Sequence, residues 1–461
     1  MALDNEYKEH VRKRVEKYMK KDKIPGMTVG IVHDGEVAYQ EGFGSANLTQ
    51  RRDMTVETVF RIASISKLFA AVAVMQLVEE GKIGLHDRVN DHLTSYQLRP
   101  FQEEQCSITV HQLLTHTSGI GEIAPILGYL RPRVALSMLR VIKDLQPLSR
   151  FYGNRLGADC QAGAKWCYAN HGYATLGQLV ADVRGDGFGQ VVQERILEPL
   201  GMHHSDFRRL RHILDRAGTA YRGGSRAYDF NIITLADGGL FCSIEDFGRF
   251  AQAIVTGNSS ILKKETLDSM MTPHFQLDPR LPAMGLGFFV DNPNKWGGHR
   301  VVKHDGALLG WATSSFYAPD LGLSAYAFMN TNGHAPFHIA HGIMRDLIKG
   351  DQPTFPQPAD AKPEVWQDLV GTYGPLSGLN SNTRIWLSHG AQFKVSIQNG
   401  KLVLKSRYGR WQKGITLEPA DPNDPYAFYA NAQPFIFKRD FNGRIDRIQF
   451  GYHEFFRKDL K

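Results

Sequence analysis

FRIASISKLFAAVAV, residues 60–74, combines a serine, a lysine three residues later and a long apolar run. The apolar run predicts a helix that is buried in the core and has Ser64 at its start. Because residues three apart share one helix face, Lys67 can reach the Ser64 hydroxyl. The free N–H groups at a helix start favour the negative charge that develops when a hydroxyl attacks a carbonyl. The stretch therefore predicts Ser64 as a nucleophile and Lys67, partly desolvated there, as its proton-accepting partner.

The same spacing occurs a second time, at Ser260 and Lys263. That pair follows Gly257-Asn258-Ser259 and precedes a polar helix, so it lacks the buried surroundings of the first. A structural alternative also exists for the first pair, in which Ser64 caps a helix and Lys67 is solvated. The spacing alone is therefore weak evidence, and other parts of the chain must decide between the alternatives.

A second polar cluster lies in WCYANHGY, residues 166–173, directly before another apolar helix. Tyr168 can exchange a proton with a leaving group, and Asn170 can hold both the lysine and a substrate carbonyl. The Tyr-x-Asn pattern also occurs at residues 152–154 and 429–431, so it too is weak when taken alone.

The third cluster is VVKHDGALLGW, residues 301–311, which predicts a strand. A glycine at position 306 lets the backbone approach a substrate closely, beside the polar side chain of His304. The N–H of Ala307 can then join that of Ser64 as an oxyanion hole. The alternative for such a cluster is a histidine in a glycine-rich turn.

Taken together, the order and spacing of the three clusters resemble the serine β-lactamase-like and penicillin-binding-protein family. This family includes class C β-lactamases, D-aminopeptidases and carboxylesterases. Residues 24–27, 77–83, 108–119 and 238–243 also look like its signatures, and the resemblance covers roughly residues 8–345. It implies an α+β fold in which helices flank an antiparallel sheet, with an all-helical subdomain, and it implies no metal and no cofactor.

The resemblance also implies roles for these residues. Ser64 attacks the acyl carbon, Lys67 and Tyr168 manage its proton, and which of the two is the general base stays open. Asn170 orients the substrate. His304 stands where many relatives have lysine, and histidine is mostly neutral at pH 7, so it attracts a carboxylate weakly. We therefore expect an esterase or a D-aminopeptidase-like enzyme. The alternatives are an acyltransferase of the same fold and a β-lactam-binding or sensing protein with weak β-lactamase activity.

The chain divides near residue 350. Residues 1–350 form the predicted hydrolase domain, and residues 351–365 form a linker in which four prolines fall within positions 353–363. Residues 366–461 show a period of two with hairpin turns, which predicts a small antiparallel β-barrel of about eight strands. This domain resembles the lipocalin-like barrels that some of these hydrolases carry. Such a barrel can cover the catalytic cleft or mediate assembly.

The composition of the chain limits which binding partners and which cellular location we expect. The chain has 461 residues, 42% of them hydrophobic, and the longest apolar stretch, residues 68–78, is about half of the ~20 residues that a membrane span needs. The charged N-terminal stretch lacks the apolar core of a signal peptide, and four cysteines favour a reduced protein, so we expect a cytoplasmic location. The net charge of +7 is scattered, which argues against nucleic acid. The expected partners are a small-molecule ester or peptide substrate and a possible second copy of the chain.

Overall fold

The computed structural model describes residues 3–102, 106–122, 126–258, 260–348, 356–357, 359–375, 392–431 and 433–459. Its α-helices, in chain order, are α1 Asn5–Asp22, α2 Ser66–Glu79, α3 Val110–Leu114, α4 Ile126–Tyr129, α5 Pro132–Met138, α6 Leu148–Tyr152, α7 Asn170–Arg184, α8 Phe188–Val192, α9 Arg211–Arg216, α10 Leu235–Gly238, α11 Ile244–Thr256, α12 Lys264–Met270, α13 Ala335–Leu347 and α14 Trp366–Leu369.

The strands range in length from two to twelve residues. In chain order they are β1 Gly26–His33, β2 Glu36–Asn47, β3 Arg52–Asp53, β4 Val59–Arg61, β5 Gln97–Arg99, β6 Arg155–Gly157, β7 Ser205–Asp206, β8 Tyr221–Arg222, β9 Ser225–Arg226, β10 Phe241–Ser243, β11 Ala283–Met284, β12 Phe289–Val290, β13 Val302–Leu308, β14 Trp311–Ala318, β15 Leu323–Met329, β16 Gly371–Gly374, β17 Phe393–Gln398, β18 Lys401–Ser406, β19 Ile415–Thr416, β20 Glu418–Pro419, β21 Ala427–Ala430, β22 Gln433–Arg439, β23 Ile445–Phe450 and β24 His453–Arg457.

The central sheet is antiparallel and has the strand order β11-β12-β13-β14-β15-β1-β2-β3. Its two faces belong to different cores, as the alternation along β15 illustrates: Ala325 and Ala327 pack towards α1 and α13, whereas Tyr326 and Phe328 pack towards α11. Helix α2 lies beyond α11, where Phe69 stacks on Phe250 with ring centroids 4.0 Å apart. Together with the helices between β5 and β7, this arrangement confirms the predicted α+β fold with an antiparallel sheet and a helical region.

The C-terminal part is a nine-stranded antiparallel sheet within the described residues, with the order β19-β18-β17-β16-β24-β23-β22-β21-β20, curved into a near-closed barrel. The hairpin between β17 and β18 turns at Asn399 and Gly400, whose φ angles of +50° and +72° suit a two-residue turn. The barrel interior is aromatic around Trp411 and Phe450, whose centroids lie 5.4 Å apart. The predicted all-β domain is confirmed, with one strand more than expected.

The two parts of the chain are joined by an ion-pair cluster around one buried carboxylate. Asp278, only 4% exposed, accepts hydrogen bonds from Arg280 at 2.8 Å and from Lys438 of the barrel at 2.6 Å. Arg280 also donates to Asp424 of the barrel at 2.8 Å. These cations hold the pKa of the Asp278 carboxyl well below its usual range although burial alone would raise it.

The predicted linker falls largely outside the described residues, since residues 351–355 and 358 are not among them. Within the described part, the N–H of Gln357 donates to the carbonyl of Ala420 in the barrel at 2.9 Å. The boundaries at 350 and 366 stay predictions. Among the residues that the structure describes, no helix combines the length and apolar character needed to cross a membrane.

Candidate active site

The nucleophile turn, residues 62–66, connects β4 to α2. Ser64 lies at the start of the helix, as the sequence predicted, on a single 3₁₀ turn, Ala63–Ile65, that directly precedes α2. Ala63 has a φ of +52°, a left-handed conformation that is uncommon for a residue with a side chain. The carbonyl of Ile62 accepts a hydrogen bond from Thr313 Oγ1 at 2.9 Å, which fixes the turn against β14.

Lys67 connects three parts of the site although it is fully buried. Its Nζ donates to Ser64 Oγ at 3.2 Å, to Asn170 Oδ1 at 2.9 Å and to the Asp237 carbonyl at 2.7 Å. An ammonium has three donors, so this geometry uses all of them. The Nζ also lies 4.9 Å from the centroid of the Tyr168 ring, a cation–π distance. Lys67 is thus held in position to exchange a proton with Ser64.

Tyr168 comes two residues before Asn170, which begins α7, and is 1% exposed. Its ring lies 4.4 Å from the ring of His116 and stacks on Phe289 at 6.3 Å. His116 in turn accepts a hydrogen bond from the Ala169 N–H at its Nδ1, at 3.1 Å. The ring of Tyr168 is therefore fixed from two sides. His116 belongs to the stretch 108–119 that the sequence already marked.

Strand β13 approaches the nucleophile turn more closely than any side chain would permit. A Cβ at Gly306 would lie 2.3 Å from the carbonyl oxygen of Ile62 and 2.2 Å from Thr313 Oγ1. His304 shares this face of the strand, because residues two apart point the same way, and its ring lies 6.5 Å from that of Tyr168. Its Nδ1 is 2.8 Å from the carbonyl of Asp305, and since a carbonyl only accepts, Nδ1 carries a hydrogen.

Two cavities meet at Ser64 and Ala307. The first, of about 180 Å³, is mostly apolar. Its apolar lining comes from Tyr129, Met138, Phe151, Phe230, Ile232 and Ile233. The second, of about 520 Å³, lies on the side of Tyr168 and His304 and carries charged groups. Those are Asp291, Lys295, Lys303 and Asp305.

Asp237, on α10, brings a carboxyl group to the apolar cavity, and the sequence prediction missed it. Burial raises the pKa of Asp237 to about 6, an effect that the positive charge of Lys67 partly offsets. Thr234 Oγ1 donates to its Oδ1 at 3.0 Å. The sequence did offer one signal for Asp237: it directly precedes residues 238–243, a stretch that resembles the family.

The barrel also contributes to the second cavity. Gly451 and Tyr452 form the two-residue turn between β23 and β24, and both line the cavity together with Ser64. The Tyr452 ring stacks on Trp166 at 4.9 Å and lies 5.4 Å from Phe289. Burial raises the pKa of the Tyr452 hydroxyl well above its ordinary value. No local sequence pattern marks this turn as part of a site.

The structure brings all the predicted site residues together. Lys67 donates a hydrogen bond to Ser64. One or both of the cavities at Ser64 are also lined by Tyr168, Asn170, His304, Gly306 and Ala307. The second Ser-x-x-Lys serine, Ser260, is exposed and lies outside both cavities. Within the described ranges, no group of three or more metal-ligating side chains is placed to hold an ion, and the four cysteines are free thiols.

Comparison with known proteins places this geometry in a family. The D-aminopeptidase of Brucella anthropi is 27% identical over 403 residues, which cover 84% of this chain and 68% of that protein. An octameric penicillin-binding protein homologue from Pyrococcus abyssi has a similar fold over 97% of this chain and 99% of its own, with 24% identity and a TM-score of 0.61.

A third similar structure is EstCE1, described as a hydrolase with promiscuous acyltransferase activity. It matches 73% of this chain and 98% of its own, with 21% identity and a TM-score of 0.63. At these identities the two structural matches establish likeness of fold. The family model for beta-lactamases matches residues 11–347, well over half of the 461 residues, and the chain therefore belongs to the beta-lactamase family of serine hydrolases.

Proposed function

We propose that the protein hydrolyses esters or amides of small acyl groups through an acyl-enzyme on Ser64. The observation that carries this proposal is the hydrogen-bond set of Lys67, which joins the Ser64 hydroxyl at 3.2 Å to Asn170 at 2.9 Å inside a buried pocket. A nucleophile held by a buried amine and flanked by two cavities suits acyl transfer.

In the proposed reaction, Ser64 Oγ attacks the carbonyl carbon and its proton passes to Lys67 or Tyr168. The N–H groups of Ser64 and Ala307 stabilise the oxyanion. The leaving group takes up the proton as its bond to the acyl carbon breaks. Water then attacks the acyl-enzyme, and Ser64 regains its proton. Either Lys67 or Tyr168 can serve as the base in this scheme.

We propose that the two cavities bind different parts of the substrate. The group that protonates the leaving group must lie beside it, and Tyr168 lines the charged cavity, so we assign the leaving group to that cavity. The acyl group then occupies the apolar cavity of about 180 Å³, which favours small apolar acyl groups. The larger second cavity, with its charged lining, suits a hydrophilic or peptide leaving group.

Asp237 refines the choice of acyl group. Its pKa of about 6 leaves the carboxylate ionised at pH 7.5, inside a cavity whose other described lining residues carry no charge. A protonated amine on the acyl group can pair with it, and charge-assisted hydrogen bonds of this kind are stronger than neutral ones. We therefore propose aminoacyl esters and amides as the preferred substrates, which suits an aminopeptidase-like activity.

The test uses two methyl esters that differ only in an amine, those of phenylalanine and 3-phenylpropanoate, with D- and L-phenylalanine compared. We expect Ser64→Ala to abolish turnover and the mass of the acyl-enzyme, and Ser260→Ala to leave both unchanged. Asp237→Asn should lower kcat/KM for the amine-bearing ester selectively, by about 10-fold or more. An equal loss for both esters would contradict amine recognition, and full activity of the Ser64 variant would contradict the whole proposal.

His304 bears on the alternative substrates. A neutral imidazole attracts a carboxylate weakly, so we propose that penicillins are poor substrates. A burst of acylation by benzylpenicillin without turnover would instead favour a sensing role. Transfer of the acyl group to an added alcohol in place of water would favour an acyltransferase, the side activity described for EstCE1. We also propose a reducing, cytoplasmic environment, given four free thiols, and assembly of several copies, as in the octameric homologue.

A further inference from the structure

A third cavity, of about 410 Å³, is lined by Val59 and Arg61 of strand β4 and by Phe241 of β10. It shares no described lining residue with the two cavities at Ser64. Its charged lining is mostly basic and consists of Arg52, Arg61, Arg140, Arg209, Arg226, Asp215 and Asp229. Five guanidinium groups against two carboxylates leave a formal charge of +3.

Three of these arginines converge on one carboxylate. Asp229 accepts hydrogen bonds from Arg61 at 3.3 Å, from Arg140 at 2.7 Å and from both terminal nitrogens of Arg209. A single carboxylate balances only one of the three positive charges. The side chains of Arg140 and Arg209 are 44% and 20% exposed, so water compensates part of the remaining charge, and an added anion would pair with it directly.

Arg61 is the buried member of this group and is 4% exposed. It donates to the carbonyl of Phe230 at 2.6 Å and lies over the rings of Phe230 and Phe241. Its Nε has no hydrogen-bond acceptor among the residues that the structure describes. Burial lowers the pKa of Arg61 to about 10, and the attraction of Asp229 does not offset that effect. The local protein groups thus leave this guanidinium incompletely compensated.

We propose that this cavity binds a small molecule through a phosphate or pyrophosphate group, held by Arg61, Arg140 and Arg209. The planar guanidinium group donates paired hydrogen bonds that match the oxygens of phosphate. A volume of about 410 Å³ exceeds what one phosphate needs, so the ligand carries an organic part as well. A purely structural ion-pair network would need neither the excess charge nor the open volume.

Isothermal titration of the full chain with inorganic pyrophosphate tests the site, at an ionic strength matched with sodium chloride. We expect saturable binding of wild type. The double variant Arg140→Gln/Arg209→Gln should bind about tenfold more weakly or worse. The control Arg88→Gln/Arg195→Gln removes the same charge from exposed positions outside the cavity and should bind like wild type. Asp229→Asn, which removes the competing carboxylate, should bind more tightly.

Several results would overturn the proposal. One is the absence of saturable pyrophosphate binding, and another is equal binding by the two double variants. Tighter binding of citrate than of pyrophosphate would mean a polycarboxylate ligand and would overturn the phosphate assignment. Circular dichroism shows whether the double variant folds. If it does not, the Asp229→Asn variant provides the test: an affinity for pyrophosphate that is unchanged or weaker than that of wild type would contradict the proposal that the Asp229 carboxylate competes with the ligand for the arginines.

Discussion

Gly306 gives the sharpest test of how the site is built, through the substitution Gly306→Ala. The added Cβ would lie 2.3 Å from the backbone oxygen of Ile62, whereas a carbon–oxygen contact needs about 3.3 Å or more. Because the obstacle is backbone, no side-chain rotation relieves it, and β13 must move by about 1 Å from the turn that carries Ser64. The movement would carry the Ala307 N–H away from the oxyanion. Loss of one such donor lowers the rate by about 10²–10³-fold.

The assay is kcat/KM for phenylalanine methyl ester, with the melting temperature measured alongside. Gly157→Ala is the matched control, since a Cβ there meets no atom within 4 Å and the backbone is not left-handed. We expect the control to retain normal activity and Gly306→Ala to lose about two to three orders of magnitude in rate. A Gly306 variant that folds normally and keeps its rate within about threefold would refute the argument that close approach of this strand builds the oxyanion hole.

The remaining predictions concern single side chains. Lys67→Met should slow acylation by about 10²–10⁴-fold, measured by stopped-flow, whereas Lys263→Met should have no effect. His304→Lys should shift kcat/KM towards benzylpenicillin relative to the ester, because His304 is only 1% exposed and water would screen an ammonium there little. Because the pKa of Asp237 is raised from 3.8 to about 6, the folded protein binds more protons than the unfolded one between these values. Its contribution to stability therefore falls as pH rises, and Asp237→Asn should gain up to about 3 kcal/mol relative to wild type between pH 4 and pH 7 in urea unfolding. Tyr452→Ala should change KM for bulky leaving groups more than kcat for methyl esters.

Much of the fold could be predicted because its signals are local. The period of two around Asn399-Gly400 gave the barrel hairpin, and the apolar run after Lys67 gave the buried helix α2. The details of the catalytic turn could not be predicted, because the left-handed φ of Ala63 depends on contacts with β14. Neither alanine nor its neighbours carry a signal for that conformation.

The candidate site residues also fall into those that a local pattern predicts and those that it does not. Ser64 lies on the 3₁₀ turn and Lys67 in the first turn of the helix that follows it, so their spacing of three was enough to pair them, and the resemblance added Tyr168 and Asn170. The sequence did not predict Asp237 as a site residue, because what distinguishes it is a buried position next to Lys67. The burial of a single carboxyl cannot be inferred from its flanking residues.

The barrel turn at Tyr452 has a consequence for how selectivity is distributed over the chain. Its ring contacts those of Trp166 and Phe289, and Phe289 also stacks on Tyr168, so these four rings form one aromatic cluster that extends from the barrel to Tyr168. The barrel is held in place by the buried cluster around Asp278, far from Ser64 in sequence and outside its cavities. Under the proposed division of the substrate, the C-terminal part therefore lines the leaving-group side of the cleft, whereas the described lining of the acyl side comes only from residues before 350. Changes in the barrel should therefore alter which leaving groups are accepted and leave acyl preference unchanged.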